Sequence, residues 1–328
     1  MRTRSPADEP LPGSEGAAPL VVIVGATAVG KTAVALRLAE AVGGEIVSAD
    51  SRQVHRGMDV GTAKPAPEER LRVRHHLLDL LDPDATLGLA EFQQLAFGAI
   101  DDITRRGGLP ILVGGTGQYV MAVVEGWQVP RVPPDSGLRC QLYEDASRHG
   151  AEALHARLRE LDPAAADAID ARNVRRVVRA LEVCMVSGRR MSEQQTKSPP
   201  PYRTLLIGLT RPRAELYRRI DQRVDEMMRG GLEREVRGLA SAGYGFELPA
   251  MSGVGYGQFA PYLRGEATLA DAVLAIKRAT RRFVRHQSNW FRPDDSRIHW
   301  FCVEPCPLAQ IEALVRGFLL AEDQKNAS

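Results

Sequence analysis

The chain has 328 residues and a formal net charge of +2, and 44% of its residues are hydrophobic. This length predicts about two domains, each large enough for its own core. No apolar run reaches the roughly 18 residues that a membrane-spanning helix needs, and the first residues lack the apolar stretch of a signal peptide. Four cysteines are too few for a disulfide scaffold. The composition therefore excludes membrane-spanning and disulfide-rich secreted classes and indicates a reduced cytoplasmic setting.

The predicted elements alternate between strands and helices. Residues 1–19 are rich in proline, glycine and charge, which predicts a disordered leader. The apolar run 20–24 predicts a buried parallel strand, and helical spacing follows it. Further strands are predicted at 45–50, 109–115 and 204–209, with a helix at 89–106 between the second and the third. This alternation predicts an α/β fold with a doubly wound parallel sheet.

The pattern changes after the proline-rich stretch 130–134, because the residues up to 198 have helical spacing and no convincing strand. We therefore expect an all-helical inserted domain at 126–198. The catalytic core is then made of residues 20–125 and 199–322, followed by a flexible tail at 323–328. Within its second part, long charged helices are predicted at 213–242 and 269–291, and a short strand near residue 298.

The most specific motif is GATAVGKT, which satisfies G-x-x-x-x-G-K-[ST] between a predicted strand and a predicted helix. In such a P-loop the glycines let backbone N–H groups surround phosphate oxygens, and the helix N-terminus adds its positive dipole. The lysine supplies a point charge, and the hydroxyl of Thr32 can ligate Mg²⁺. The predicted site holds two linked phosphates and is formed by Gly25, Thr27, Ala28, Val29, Gly30, Lys31 and Thr32.

The acid of this site is in an unusual place. A nucleotide hydrolase carries an Asp or Glu at the end of a later apolar strand, but here that strand ends in ILVGGT. Asp50 closes the second strand instead, at the edge where ligands bind in such sheets. A turn or cap role for this aspartate is an equally open interpretation. A phosphate cradle without the hydrolytic acid favours diphosphate as leaving group, with a nearby carboxylate as general base toward an attacking amine.

Arginines dominate the basic residues, at 38 against five lysines. Two sets of four have the spacing of a single helix face. The sets are Arg172, Arg175, Arg176 and Arg179, and Arg278, Arg281, Arg282 and Arg285. Four like charges on one face repel each other, so either acids from elsewhere neutralise them or they face a polyanion such as RNA.

Taken together, these motifs resemble those of the tRNA dimethylallyltransferases, which prenylate N6 of adenosine 37 beside the anticodon. The resemblance covers about residues 21–300. It rests on the ordered segments GATAVGKT, SADSRQV, GMDVGTAKP, HHLLD, VGGTGQY, RALEV, RIDQR and VGYGQF and on the closing arginine-rich helix with NWFR. It implies a P-loop NTPase-like core, dimethylallyl diphosphate and tRNA as substrates, and Mg²⁺ as the cofactor. Because no cysteine–histidine zinc module follows the core, the chain is similar to the bacterial form.

The resemblance also implies roles for particular residues. Asp50 acts as base on the adenine amine, Thr116 lines the transfer channel and Arg223 binds diphosphate. The implied tRNA contacts, with the anticodon stem-loop as the partner, are Asp50, Ser51, Arg52, Gln53, Thr116, Arg139, Arg175, Arg176, Arg179, Gly255, Tyr256 and Arg281. A monomeric cytoplasmic enzyme is expected.

Three other functions are compatible with parts of the pattern. A P-loop kinase would phosphorylate a small molecule and use a helical lid and arginines in similar ways. A non-catalytic RNA-binding regulator would only sense a nucleotide. Prenylation of free adenylate is disfavoured by the long helical insertion. The pairs His75–His76 and Cys302…Cys306 are interpreted as structural, since neither has a complete set of metal ligands.

Overall fold

One parallel sheet forms the centre of the computed structural model, which describes residues 17–130, 132–198 and 202–326. Within these residues the strand order is β3-β2-β4-β1-β5-β6. The strands are β1 (Ala18–Gly25), β2 (Gly44–Ser48), β3 (His75–His76), β4 (Leu109–Val113), β5 (Tyr202–Thr210) and β6 (Ile298–Cys302). The α/β class and the doubly wound parallel sheet are thereby confirmed.

The middle of the sheet explains the long apolar run of β1. Val21 pairs with Ile111 of β4 on one side and with Leu205 of β5 on the other. Residues 20–24 are fully buried, as expected for a central strand with helices on both faces. Since all strands are parallel, the carboxyl ends of β1, β2 and β4 lie along one edge, and the loops that follow them come together there.

Helices of the same unit pack on the sheet or on each other. They are α1 (Lys31–Val42), α2 (Pro67–Arg72), α3 (Leu89–Arg105), α4 (Gly117–Val124), α10 (Arg213–Arg229), α11 (Leu232–Ser241), α12 (Ala260–Leu263), α13 (Leu269–Gln287) and α14 (Leu308–Asn326). The main core cluster joins α1 and α14 to the sheet through residues such as Leu38, Ile23 and Ile311. None of the described helices is long and apolar enough to cross a membrane.

The chain divides into two compact units, one of residues 1–124 with 200–328 and one of residues 125–199. The second unit contains α5 (Ser136–His149), α6 (Ala151–Leu161), α7 (Pro163–Ala168), α8 (Val174–Ser187) and α9 (Met191–Gln194). Its own core contains the buried residues Leu142, Leu158 and Leu181. The division falls one residue outside each predicted end of the insertion.

The two ends of the chain differ from the expectation. Residues 1–16 of the predicted leader lie outside the described residues, but Ala18 and Pro19 already belong to β1, because they pair with Tyr202 and Arg203 of β5. At the other end α14 continues through Asn326, so the helix occupies most of the predicted tail. No proline or glycine interrupts the sequence there.

Several element boundaries were predicted too far along the chain. β2 ends at Ser48 and β4 at Val113, which leaves Asp50 and Thr116 in the loops that follow. The long helix predicted at 213–242 is two helices, because Gly231 has a φ of +96° and starts a new helix. The helix predicted at 269–291 ends at Gln287.

Candidate active site

The GATAVGKT segment forms the turn between β1 and α1. Gly25 has a φ of +143°, and a Cβ there would lie 2.5 Å from the carbonyl oxygen of Leu209. Gly30 has a φ of +114° and directly precedes the first residue of α1. Both conformations favour glycine, so the motif glycines are required by the turn. The free N–H groups at the start of α1 give this turn the character of an anion site.

Lys31 lies across this turn. Its Nζ donates to the carbonyl oxygens of Gly25 at 3.0 Å and Ala26 at 2.9 Å. Burial of the ammonium lowers the pKa of Lys31 to about 8; the charge of Asp50 opposes this shift and that of Arg223 adds to it. Among the described residues, no carboxylate lies within ion-pair distance of Lys31. The positive charge is therefore available to a ligand.

Arg223 adds a second half-buried cation. It lies on α10, and burial lowers its pKa, with Asp50 acting in the opposite direction and Arg219 in the same direction. Arg219 is one helical turn earlier, and its Nε is buried without a hydrogen-bond partner. No ion pair to either arginine is found within the described part of the chain. A cluster of unpaired cations around one carboxylate is the electrostatic pattern of an anion-binding active site.

On the other side of the site, the loops after β2 and β4 are joined. The backbone N–H of Ser51 donates to Thr116 Oγ1 at 3.0 Å, and the two hydroxyl oxygens are 3.3 Å apart. Asp50 Oδ1 accepts from the N–H of Arg52 at 2.9 Å, which fixes one carboxylate oxygen. These contacts place Asp50 and Thr116 next to each other although they are 66 residues apart in sequence.

A cavity of about 50 Å³ connects the two sides of the site. Its polar lining includes Lys31, Thr32 and Asp50, and its apolar lining includes Ala35, Ile46 and Val113. The cavity therefore offers a cation, a hydroxyl and a carboxylate to one small ligand that also has an apolar part.

Comparisons with known proteins place this geometry in a family. The description of the matching family is "IPP transferase", and the match spans residues 53–294. The chain belongs to the IPP transferase family. A tRNA dimethylallyltransferase of Roseiflexus castenholzii is 54% identical over 91% of this chain and 97% of its own length, and one of Thermomicrobium roseum is 50% identical over 94% of each chain.

Solved structures agree with this assignment. The tRNA isopentenylpyrophosphate transferase of Bacillus halodurans has a TM-score of 0.70 and 39% identity, covering 94% of this chain and 99% of that chain. A eukaryotic dimethylallyltransferase studied acting on tRNA has a TM-score of 0.76 and 25% identity, covering 94% of this chain and 80% of that chain. The P-loop NTPase-like fold class and the prenyltransferase class predicted from the sequence are confirmed.

In this transferase two of the residues expected to contact tRNA hold neighbouring loops with their side chains. The guanidinium of Arg52 donates to the carbonyl oxygens of Pro249 and, at 3.3 Å, of Ala250. Gln53 accepts from the hydroxyl of Ser48 at 3.0 Å and donates to the carbonyl oxygens of Thr62 and Ala63 at 3.3 Å each. Both side chains therefore stabilise the rim of the site.

Tyr256 is also an interior residue, with 1% of its surface exposed. Its hydroxyl donates to Glu235 Oε1 at 2.6 Å, and burial together with this carboxylate raises the pKa of Tyr256. The neighbouring Gly255 donates its N–H to Gln258 Oε1 at 2.8 Å and has a φ of +101°. Any RNA contact at this segment thus depends on its backbone and on the exposed Ser252 and Val254.

Glu235 was not found from the sequence, yet it joins two loops of the core unit. Its carboxylate accepts from the N–H groups of Asp59, Val60 and Gly61 at 2.8, 2.7 and 3.0 Å, besides the hydroxyl of Tyr256. A surface depression of about 340 Å³ lies beside it, and half of its lining residues are glycines. No spacing in the sequence connects a helical glutamate to backbone groups some 175 residues earlier.

In the inserted unit, the first arginine set forms a stripe on α8, with Arg175, Arg176 and Arg179 in the helix and Arg172 just before it. Part of its charge is neutralised by an acid of the same helix. Arg139 makes a two-pronged pair with Glu182, at 2.7 and 2.8 Å, and Arg179 pairs with the same carboxylate. Glu182 is fully buried. Burial works to raise its pKa, but the hydrogen bonds from Arg139 and Arg179 outweigh that effect and lower it. Arg175 and Arg176 are exposed, and neither forms an ion pair with another described residue.

The second arginine set (Arg278, Arg281, Arg282 and Arg285) forms a stripe on α13. Acids of α10 pair with one of its arginines and with the neighbouring Lys277. Arg281 pairs with Asp221 and lies over the ring of Tyr217, and Lys277 pairs with Asp225 at 2.6 Å. Of the two possibilities left open by the spacing, neutralisation by an acid from elsewhere holds for Arg281.

The histidine and cysteine pairs have ordinary surroundings. His76 Nε2 is 2.7 Å from Glu45 Oε2, and His75 Nδ1 is 2.8 Å from the carbonyl oxygen of Val73. Cys302 and Cys306 are free thiols. Within the described ranges, no group of three or more His, Cys, Asp or Glu residues could hold a metal ion.

Proposed function

We propose that the chain transfers a dimethylallyl group from dimethylallyl diphosphate to N6 of adenosine 37 in tRNA and releases diphosphate. The observation that carries this proposal is the position of Asp50, a carboxylate facing two unpaired cations, Lys31 and Arg223, across the site. The cations suit a diphosphate and the carboxylate suits the amine that replaces it. The names of the family and of its relatives support the same reaction.

The diphosphate end of the donor binds at the turn between β1 and α1. Backbone N–H groups at the start of α1 bind its oxygens, and Lys31 and Arg223 neutralise its charge. When the bond between carbon and the bridging oxygen breaks, that oxygen becomes more negative. Preorganised cations in a partly buried site stabilise this charge more strongly than water does, which lowers the barrier.

A divalent cation fits the oxygen donors of this site. The hydroxyl of Thr32 lines the cavity together with the hydroxyl of Ser48 and the carboxylate of Asp50, and Mg²⁺ prefers such oxygen ligands together with substrate phosphates. Thr32 would hold the ion, which supplies additional positive charge for the leaving diphosphate.

On the acceptor side Asp50 takes the proton. The adenine nitrogen forms a bond to the first carbon of the dimethylallyl group, the bond from that carbon to oxygen breaks, and the N6 proton moves to the carboxylate of Asp50. The N–H of Arg52 holds one carboxylate oxygen, and Thr116 lies beside it through Ser51. Extrusion of the base costs least in a single-stranded anticodon loop.

We further propose that Arg175 and Arg176 bind tRNA phosphates and that the enzyme acts as a monomer. Both guanidinium groups are exposed and have no acidic partner among the described residues. Arg139 and Arg179 then act on tRNA indirectly, since they hold α8 through Glu182.

Mass spectrometry of an anticodon stem-loop RNA tests the proposal. The RNA is incubated with the protein, Mg²⁺ and dimethylallyl diphosphate, and in parallel with labelled ATP or with free adenylate as acceptor. We expect one dimethylallyl group on adenosine 37 of the RNA and no label transfer from ATP. Transfer of label from ATP alone would support the kinase, and prenylation of adenylate alone would overturn tRNA as the acceptor.

A further inference from the structure

Gln287, the last residue of α13, is 95% buried at the centre of the active site. Its Nε2 donates to the carbonyl oxygen of Gly115 at 2.9 Å. Its Oε1 accepts from the backbone N–H of Thr27 at 2.8 Å. Both hydrogen-bonding ends of one side-chain amide are thus used on backbone groups of two different loops.

The two loops hold opposite halves of the proposed reaction. Thr27 belongs to the turn that binds diphosphate. Gly115 directly precedes Thr116. The hydroxyl oxygen of Thr116 accepts a hydrogen bond from the backbone N–H of Ser51, which follows the base Asp50. A Cβ on Gly115 would lie 2.4 Å from Gln287 Nε2 and 3.5 Å from Lys31 Nζ, so the three groups are in close contact.

The helix that carries Gln287 is itself fixed. Lys277 and Arg281 of α13 pair with Asp225 and Asp221 of α10, the helix that carries Arg223. After Gln287 the chain turns, and the ring of Trp290 covers Gly117, where a Cβ would lie 2.1 Å from Trp290 Cγ. Gln287 therefore has a fixed position relative to α10 and to the loop after β4.

We propose that Gln287 is a positioning residue that sets the distance between the diphosphate loop and the loop that carries Thr116. The proposal rests on the proposed function, because the distance matters only if a donor on one loop reacts with an acceptor at the other. The chemistry demands an amide: the Thr27 N–H can only donate and the Gly115 carbonyl can only accept. An ionised carboxylate satisfies the first group and repels the second.

The variant Gln287→Glu tests the need for both hydrogen bonds, because its ability to donate depends on pH. Protonated Glu has a carbonyl oxygen for Thr27 and a hydroxyl for Gly115, so Gln287→Glu in its neutral form restores both bonds. Ionised Glu loses one bond and adds a negative charge beside the diphosphate. We expect the kcat of Gln287→Glu at about pH 8, where its carboxyl is ionised, to lie about tenfold or more below that of wild type, and the deficit to shrink as the pH falls and the carboxyl is protonated.

Gln287→Met gives the second readout, because it keeps the length of the side chain and removes both bonds. We expect kcat to fall about ten- to a hundredfold at all pH values, with the tRNA KM changed less than about threefold. Gln310, exposed on α14, provides matched controls, and Gln310→Glu and Gln310→Met should behave as wild type. Thermal unfolding of every variant establishes that it is folded.

The outcomes separate this inference from the proposed function. If wild type prenylates no RNA, the proposed function fails. If wild type is active and Gln287→Glu keeps the wild-type kcat at every pH between about 6 and 8, the positioning role is overturned, whatever the stability of the variant. A Gln287→Met enzyme within twofold of the wild-type kcat would overturn it as well.

Discussion

The cations of the active site and the arginines of the inserted unit look alike in sequence and differ in their surroundings. Lys31 and Arg223 are half-buried and have no carboxylate in ion-pair contact among the described residues. Arg139 and Arg179 share the buried carboxylate of Glu182. A partly buried charge without a partner costs stability and is kept for a ligand, whereas a paired charge holds the fold. Basic residues can therefore be assigned to function or to structure by their acidic neighbours.

The base that faces the unpaired cations should give the largest effect. Asp50→Asn keeps the shape of the side chain and removes its ability to take the N6 proton, so kcat for prenylation should fall about 10²- to 10⁴-fold. Filter binding should show tRNA affinity within about threefold of wild type. Undiminished modification would remove Asp50 from the mechanism, and lost modification with intact RNA binding would exclude a mere RNA-binding regulator.

Lys31→Met should separate activity from stability. Loss of the point charge should lower kcat/KM for dimethylallyl diphosphate about 10²- to 10³-fold. The folded protein holds Lys31 at a pKa of about 8 against 10.5 in the unfolded chain, so below pH 8 it bears the full cost of a buried charge. The variant should therefore gain about 1–3 kcal/mol in free energy of unfolding at pH 7, measured in urea. A destabilised variant would contradict this expectation, because it would mean that the hydrogen bonds of Lys31 to the carbonyl oxygens of Gly25 and Ala26 contribute more than burial of its charge costs.

The lowered pKa of Lys31 predicts an alkaline limb in the pH profile of kcat/KM for the wild-type enzyme. Lys31 is protonated below about pH 8 and loses its charge as the pH rises through that value, so kcat/KM for dimethylallyl diphosphate should fall about tenfold per pH unit beyond it. Bound diphosphate should raise the pKa and move the limb in kcat to higher pH. The limb should be missing in Lys31→Met. A wild-type kcat/KM that stays flat towards 10.5, the pKa of an ordinary lysine, would contradict the burial of this group.

In the inserted unit, substitution of a paired arginine should lower stability and leave the electrostatic part of tRNA binding unchanged. Arg139→Gln leaves the buried Glu182 with one arginine, and we expect about 1–3 kcal/mol of lost stability in thermal or urea unfolding. Its tRNA affinity should show an unchanged slope against salt concentration. A lower slope at unchanged stability would make Arg139 a direct phosphate contact instead.

The smallest effect is expected at the exposed end of the stripe on α8. The double variant Arg175→Gln with Arg176→Gln should keep its stability and bind the stem-loop less tightly. The slope of log affinity against log salt should fall by about 1.5, since each lost phosphate contact accounts for about 0.7–0.9. An unchanged slope would show that these arginines are only a solvated face.

The sequence alone predicted the features that depend on local spacing. The turn at Gly25–Thr32 follows from glycines, lysine and threonine between a strand and a helix, and Asp50 was singled out because it comes just after the apolar residues of β2. The boundaries of α10 and α11 were missed because Gly230–Gly231 is a weak break that only the turn geometry reveals.

Contacts between distant segments were beyond the reach of pattern analysis. Gln287 and Thr27 are 260 residues apart, and neither the helix period nor any motif links them. The stretch 277–292 holds six basic residues and no acid, yet Asp221 and Asp225 of another helix neutralise two of them. Pairings of this kind arise from how helices pack on the sheet, which spacing alone does not determine.

The proposed reaction is tested most directly by finding whether the carbon–oxygen or the phosphorus–oxygen bond of the donor breaks. Dimethylallyl diphosphate carrying heavy oxygen at the bridge between carbon and phosphorus is incubated with the enzyme, Mg²⁺ and the stem-loop RNA, and both products are weighed by mass spectrometry. We predict heavy oxygen in the released diphosphate and an RNA that carries dimethylallyl without it. Heavy oxygen left in dimethylallyl alcohol, or a phosphorylated RNA, would show that phosphorus is transferred and would contradict the central claim.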